Sequence, residues 1–211
     1  MASRKTLKLA TFNVNGIGTR LPHLLAWLDK EAPDIVALQE LKAVDEAFPA
    51  DELEAAGYGA LWHGQRSWNG VALLARDSMP VESRRGLPGD LDVYDPKAWR
   101  KDALMQPEVR EAYFDLLGQG WTDALRHTVG EDEVIYTFWD YFRQHAERDR
   151  GLRIDHLLLN PVLAKGLKDA GVDRWVRLQD KASDHAPTWV TVRVPGHQPV
   201  RRKRLSASAS I

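Results

Sequence analysis

Cysteine is absent from the 211 residues, which excludes disulfide frameworks, thiolate zinc sites and cysteine nucleophiles. Long apolar runs are missing too. No stretch is long enough to span a bilayer, and the short apolar run after the basic start is broken by Asn13 and Asn15, so it does not read as a signal peptide. A soluble, cytoplasmic protein without a membrane partner is the expectation. Net charge is nearly absent: 29 Lys and Arg stand against 30 Asp and Glu, leaving −1. Bulk charge therefore does not announce a nucleic-acid partner. The distribution is uneven, however, because Arg201, Arg202, Lys203 and Arg204 form a basic run. Removing those four charges from −1 leaves −5 on the rest of the chain. The run reads as a solvated, disordered tail, with a DNA-steering arm as the sharper alternative.

What is present suits one domain. Hydrophobic residues make up 44% of the chain, enough for a core. The expected domain covers residues 1–195, with the basic tail at 196–211. Leu7–Phe12 reads as a buried strand stopping at Asn13. Leu21–Glu31 carries Leu21, Leu24, Leu25 and Leu28 at helical spacing, and Pro33 ends that helix. Asp34–Leu38 is a second buried strand running into Gln39-Glu40. Strand, helix and strand in so few residues predict a layered α/β domain. Further along, Leu53–Tyr58 reads as a short helix end closed by Gly57, Trp68-Asn69-Gly70 as a turn, and Val71–Ala75 as a strand. Pro107–Leu117 reads as a helix with proline at its first position. Leu152–Leu159 is expected to be a strand, Val162–Asp169 a helix stopped by Gly171, and Trp189–Val194 a final alternating strand. Glu82–Trp99 has neither helical nor strand periodicity.

Several polar groups stand where apolar ones are expected. Asn13 and Glu40 close two apolar strands, Asp155 interrupts Leu152–Leu159, and Asp184-His185 precedes the last strand. In α/β architectures the carboxyl ends of strands commonly line the active-site crevice. Asn13, Glu40 and Asp184 would make a hard-oxygen site suited to magnesium. Asp155 and His185 would pair as orienter and base, the carboxylate fixing the imidazole tautomer. Phosphodiester hydrolysis needs both parts. Taken singly, each residue has an ordinary explanation: a turn asparagine, a solvated strand end, a cap, a structural histidine. Asp155 is the hardest to dismiss, because an unpaired carboxylate in an apolar strand is costly. Phe138, Trp139 and Tyr141 read as core or pocket wall, with stacking on a nucleotide as the alternative.

Together, in order, TFNVNGI (11–17), DIVALQEL (34–41), GLRIDHLLL (151–159) and SDHAP (183–187) resemble the exonuclease III and AP endonuclease family. WNGVALL (68–74) and YTFWDYF (136–142) are similar to further family segments. The likeness spans nearly the whole chain apart from the tail. It implies a four-layer α/β sandwich of the exonuclease III or DNase I type with two facing sheets. It implies cleavage of double-stranded DNA at abasic or 3′-blocked sites by a monomer using Mg2+ or Mn2+. By that resemblance Asn13, Glu40, Asp184 and His185 surround the metal, His185 contacts the scissile phosphate, and Asp155 orients it. Phe138 and Ile154 line the pocket for the base-less sugar, and Asn69 lies near the DNA backbone.

The chain departs from the family between Leu74 and Tyr94. A YxPNG-like turn and a GDxN motif belong there, and neither is present. Gly89-Asp90-Leu91-Asp92 follows no apolar strand and has Asp where Asn belongs. The simplest reading is an in-frame loss of several dozen residues near 82–93, removing central strands and helices. The expected consequence is impaired or absent catalysis. The alternatives are a non-catalytic DNA-binding remnant, a relative acting on a small phosphodiester, and a product without a stable fold.

Overall fold

The computed structural model describes residues 6–65, 69–81, 107–130, 133–141 and 144–194. The tail and the expected junction near 82–93 lie outside these residues. Among the described residues the main feature is a six-stranded sheet in the order β3-β4-β2-β1-β8-β7. Its strands are β1 (Thr6–Asn13), β2 (Ile35–Gln39), β3 (Tyr58–His63), β4 (Val71–Arg76), β7 (Leu167–Val172) and β8 (Thr188–Arg193). β1 and β2 pair in parallel, joined by helix α1 (Ile17–Glu31); the other neighbours are antiparallel. Among the described residues, a second sheet holds β5 (Thr122–Asp123) and β6 (Leu158–Leu159). The short helices are α2 (Ala50–Ala55), α3 (Pro107–Gly118), α4 (Ala124–Val129), α5 (Pro161–Ala164) and α6 (Arg174–Arg177).

Period-two alternation divides the large sheet into two faces. On one, Ala10, Phe12, Val36, Leu38, Ala72 and Leu74 are buried with Leu24, Trp27 and Leu28 of α1. Trp27 is fully enclosed, meets Phe12 edge to face at 6.0 Å, and donates its indole N–H to Asp173 at 2.7 Å. Asp173 also accepts from Trp189 at 3.2 Å; burial raises its pKa, partly offset by the Trp27 hydrogen bond. Tyr58 donates to the carbonyl of Pro33 at 2.8 Å, tying β3 to the turn before β2, and burial pushes its phenol up to about 12. On the opposite face, Leu9, Val190 and Val192 pack against Ala124, Leu125 and Leu159, which come from α4 and β6.

The structure corrects several local expectations. α1 begins at Ile17 rather than Leu21, because Ile17 is itself wholly buried. β3 was not expected; Gly57, with φ of +85°, ends the α2 region and lets the chain enter a strand at once. Only Leu158–Leu159 of the expected Leu152–Leu159 strand pairs as a strand, and Leu152 makes an isolated bridge to Phe138. Of the expected Val162–Asp169 helix, a single turn forms, capped by Asn160, whose side chain accepts from Val162 and Leu163 N–H. β7 follows, and Gly171 lies within it rather than stopping a helix.

Candidate active site

Topology brings the polar residues to one end of the large sheet. β1 and β2 run in parallel with Asn13 opposite Gln39, so Asn13 and Glu40 emerge side by side. β8 is antiparallel to β1, with Thr188 opposite Thr11, so the Ser183–Pro187 loop before it arrives at the same end. β4 is antiparallel to β2, and Val71 opposite Gln39 brings Asn69-Gly70 there too.

Asn13 donates its side-chain amide to Glu40 Oε1 at 2.8 Å, and its Oδ1 accepts from the Asn15 backbone at 3.0 Å. Asn15 spans the gap to the β8 loop, donating to Asp184 Oδ1 at 2.9 Å and to the Tyr141 hydroxyl at 2.9 Å. The Lys42 ammonium lies 3.1 Å from Glu40 Oε2 and donates to Asn15 Oδ1. Ser183 donates to the Asn13 carbonyl at 2.6 Å, fastening the β8 loop to the end of β1. Asn15, Glu40 and Lys42 all have positive φ, near 50°. Such backbone is unfavourable for side-chain-bearing residues and clusters at functional sites.

His185 Nδ1 lies 2.7 Å from Asp155 Oδ2, and each side chain is only 10% exposed. Asp155 does not sit in a strand. The Thr137 hydroxyl oxygen accepts from both Ile154 and Asp155 N–H, fixing the backbone at that point. The Phe138 ring meets His185 edge-on at 5.0 Å, and the Ala186 N–H donates to the Thr137 carbonyl at 2.9 Å. The carboxylate is thus paired, which removes the penalty that made it conspicuous in the sequence.

Two cavities flank this arrangement. One of about 310 Å3 is lined by Gln39, Glu40, His63, Gln65, Asn69 and Val71, which puts Asn69 beside Glu40. The other, about 390 Å3, is lined by Phe138, Tyr136, His145, Arg150 and Leu152 among others. Ile154 is not among its lining residues. Leu152 is.

Asn13, Glu40 and Asp184 are therefore joined into one hydrogen-bonded group, and His185 is turned through Nδ1 to Asp155. Among the described residues, no three His, Cys, Asp or Glu side chains gather as a metal-holding group. The donor chemistry still fits magnesium, which keeps several waters and takes one or two carboxylates rather than a full protein cage. Glu40, with a third of its side chain exposed, is the carboxylate placed to anchor such an ion. Sequence reasoning missed Asn15, Lys42 and Thr137. Asn15 lies within TFNVNGI, Thr137 within YTFWDYF, and Lys42 directly follows DIVALQEL, which was the available signal.

A second polar group lies outside this site. Asp123, 4% exposed, accepts from the Tyr113 hydroxyl at 2.6 Å and from Arg126 N–H at 3.1 Å, pairs with Arg153, and lies 3.4 Å from His156 Nδ1. Burial pushes its pKa up, but the contacts from His156, Tyr113 and Arg126 and the charge of Arg153 outweigh that and hold it well below the usual carboxylate range.

Residues 10–103 match the endonuclease/exonuclease/phosphatase family. The chain is 27% identical to exodeoxyribonuclease III of Haemophilus influenzae, with 87% of this chain and 98% of that protein covered. Its fold is similar to a 3′-5′ exonuclease from Neisseria meningitidis, with a TM-score of 0.77, 29% identity, and 87% and 98% of the two chains covered. It is also similar to an AP endonuclease from Archaeoglobus fulgidus, with a TM-score of 0.77, 27% identity, and 89% and 100% covered. The alignment to the Haemophilus protein runs over 264 positions but draws on 87% of 211 residues, about 184, so about 80 positions have no counterpart here. Motifs, fold and relatives point the same way: the chain is similar to the exonuclease III and AP endonuclease family over most of its length.

Proposed function

We propose that this chain is an exonuclease III-like repair protein. It engages duplex DNA at abasic or 3′-blocked ends, and its hydrolytic step is impaired or lost. The observation that carries the reading is the Asp155–His185 pair standing at the same sheet end as Glu40 and Asp184, without the GDxN and YxPNG-like motifs. With Nδ1 engaged by Asp155, Nε2 is the ring atom left to face a phosphate or its attacking water. Glu40, supported by Asn13 and with Asp184 nearby, would anchor Mg2+ or Mn2+, which neutralises charge developing on the phosphate. Phe138 would form the apolar wall beside the reacting sugar, and Asn69 would approach the backbone. Protein placed in the cytoplasm would sit on the nucleoid when bound to DNA.

The lost motifs supply the aspartate that handles the nucleophilic water and the groups that hold the phosphate. Loss of one such stabilising group typically costs about 10²–10³-fold in rate. Lys42 beside Glu40 favours binding without cleavage as the second reading, because its ammonium already offsets the carboxylate without a divalent ion. Fluorescence anisotropy on a duplex with one abasic site, set beside hydrolysis of a small phosphodiester, separates the readings. The expected result is salt-sensitive duplex binding in the presence or absence of magnesium, with no turnover of the small substrate. Turnover of the small phosphodiester without duplex binding would move the assignment to another substrate class.

A further inference from the structure

Asp155 lies between the Leu152–Phe138 bridge and β6, outside any strand. No ladder fixes its backbone, yet its Oδ2 stands 2.7 Å from His185 Nδ1. A hydrogen bond of that length needs both backbones held to a fraction of an ångström. Thr137 touches both. Its hydroxyl oxygen accepts the Ile154 N–H at 3.0 Å and the Asp155 N–H at 3.1 Å. Its carbonyl accepts the N–H of Ala186, the residue after His185, at 2.9 Å. Its own N–H donates to the Leu152 carbonyl at 2.9 Å, and neighbouring Phe138 bridges to both Leu152 and His185. Thr137 is 0% exposed, so these bonds form in a low-dielectric interior where they are strong and costly to lose.

The segment is held from its other side as well. Arg153 pairs with Asp123, donates to His156 Nδ1 at 3.0 Å and reaches the Tyr113 hydroxyl at 3.4 Å. The Ala124 N–H, next to Asp123, donates to the Leu157 carbonyl at 3.0 Å. Arg153 and His156 thus anchor on Asp123, while Asp155 between them turns to His185. We propose that Thr137 is a positioning residue that sets the spacing of the Asp155–His185 pair, with the Asp123–Arg153 anchor as its second support. This rests on the reading of that pair as the retained orienter and base. It gives the buried polar group around Asp123 a part in the site.

Proton NMR of the full chain, labelled with 15N at histidine and tryptophan, tests the proposal without requiring turnover. The proton between His185 Nδ1 and Asp155 should give a resonance downfield of the backbone amides, assigned by its loss in Asp155→Asn. The Trp27 indole proton, bonded to Asp173, serves as the internal reference. Thr137→Val keeps shape and removes the acceptor; it should speed exchange of the His185 proton with water about tenfold relative to that reference. Thr137→Ser, which keeps the hydroxyl, should stay at the parent rate. Arg153→Lys keeps a charge beside Asp123 but gives up the fork that also reaches Tyr113 and His156, and should speed exchange in the same direction. A loss of global stability alone would speed both protons alike, and that outcome overturns the proposal. So does an unchanged His185 proton in folded Thr137→Val; where that variant does not fold, an unchanged proton in Arg153→Lys does the same. Absence of the downfield resonance from the parent would instead remove the pair, and the functional reading with it.

Discussion

Asp123 shows how a buried carboxylate is kept ionised. It caps α4, receives the Tyr113 hydroxyl and faces Arg153, so it joins three segments at one point. Asp123→Asn should leave Arg153 without its charge partner and destabilise the domain by about 3–5 kcal/mol, read by urea unfolding at neutral pH. The pH dependence follows from the sign of the shift. The folded pKa lies below the unfolded value of about 4, so the contribution is present above that pH and lost as pH falls further. The parent should therefore lose stability steeply below about pH 4, and the variant should lose less over the same range. The Asp155–His185 pair was visible in the sequence because a carboxylate interrupts an apolar segment. Lys42 and Asn15 were not, because a lysine and an asparagine in loops are ordinary until folding brings them to Glu40 and Asp184.

The elements that sequence read well were those with long, one-sided periodicity: β1, α1, β2, β4, α3 and β8. Those it misread are short and decided by tertiary contacts. Leu152–Leu159 is apolar because Leu157 and Leu159 join the core on the far face of the sheet, yet most of it is not paired. The expected Val162–Asp169 helix ends after one turn, because Gly166 accepts the Arg193 N–H at 2.7 Å, which directs the chain into β7. Gly171 then serves as a strand residue under the Trp189 ring, where an added Cβ would come within 2.8 Å of Cζ2. Gly171→Ala should displace that ring and cost about 1–3 kcal/mol by thermal or denaturant unfolding. A stability unchanged within error would show that Trp189 has room to move.

Among the described residues the whole molecule holds one six-stranded sheet, with the strand ends near Asn13, Glu40 and Asp184, and a second sheet of β5 and β6. The family and the retained half of the site were legible from the motifs, because strand ends fix side chains that lie far apart in sequence. The departure from the family was legible only as absent motifs, and the exposure of Val71 and Leu73 on β4 required the fold. Retained geometry and the proposed loss of chemistry meet in one measurement: magnesium-dependent nicking of a duplex with a single abasic site, by protein first shown to be folded and of uniform size. No nicking above background is predicted, with duplex binding retained. Cleavage at the rate of an intact relative, abolished by Glu40→Ala and by His185→Ala, would contradict the account and show that the remaining residues complete the site.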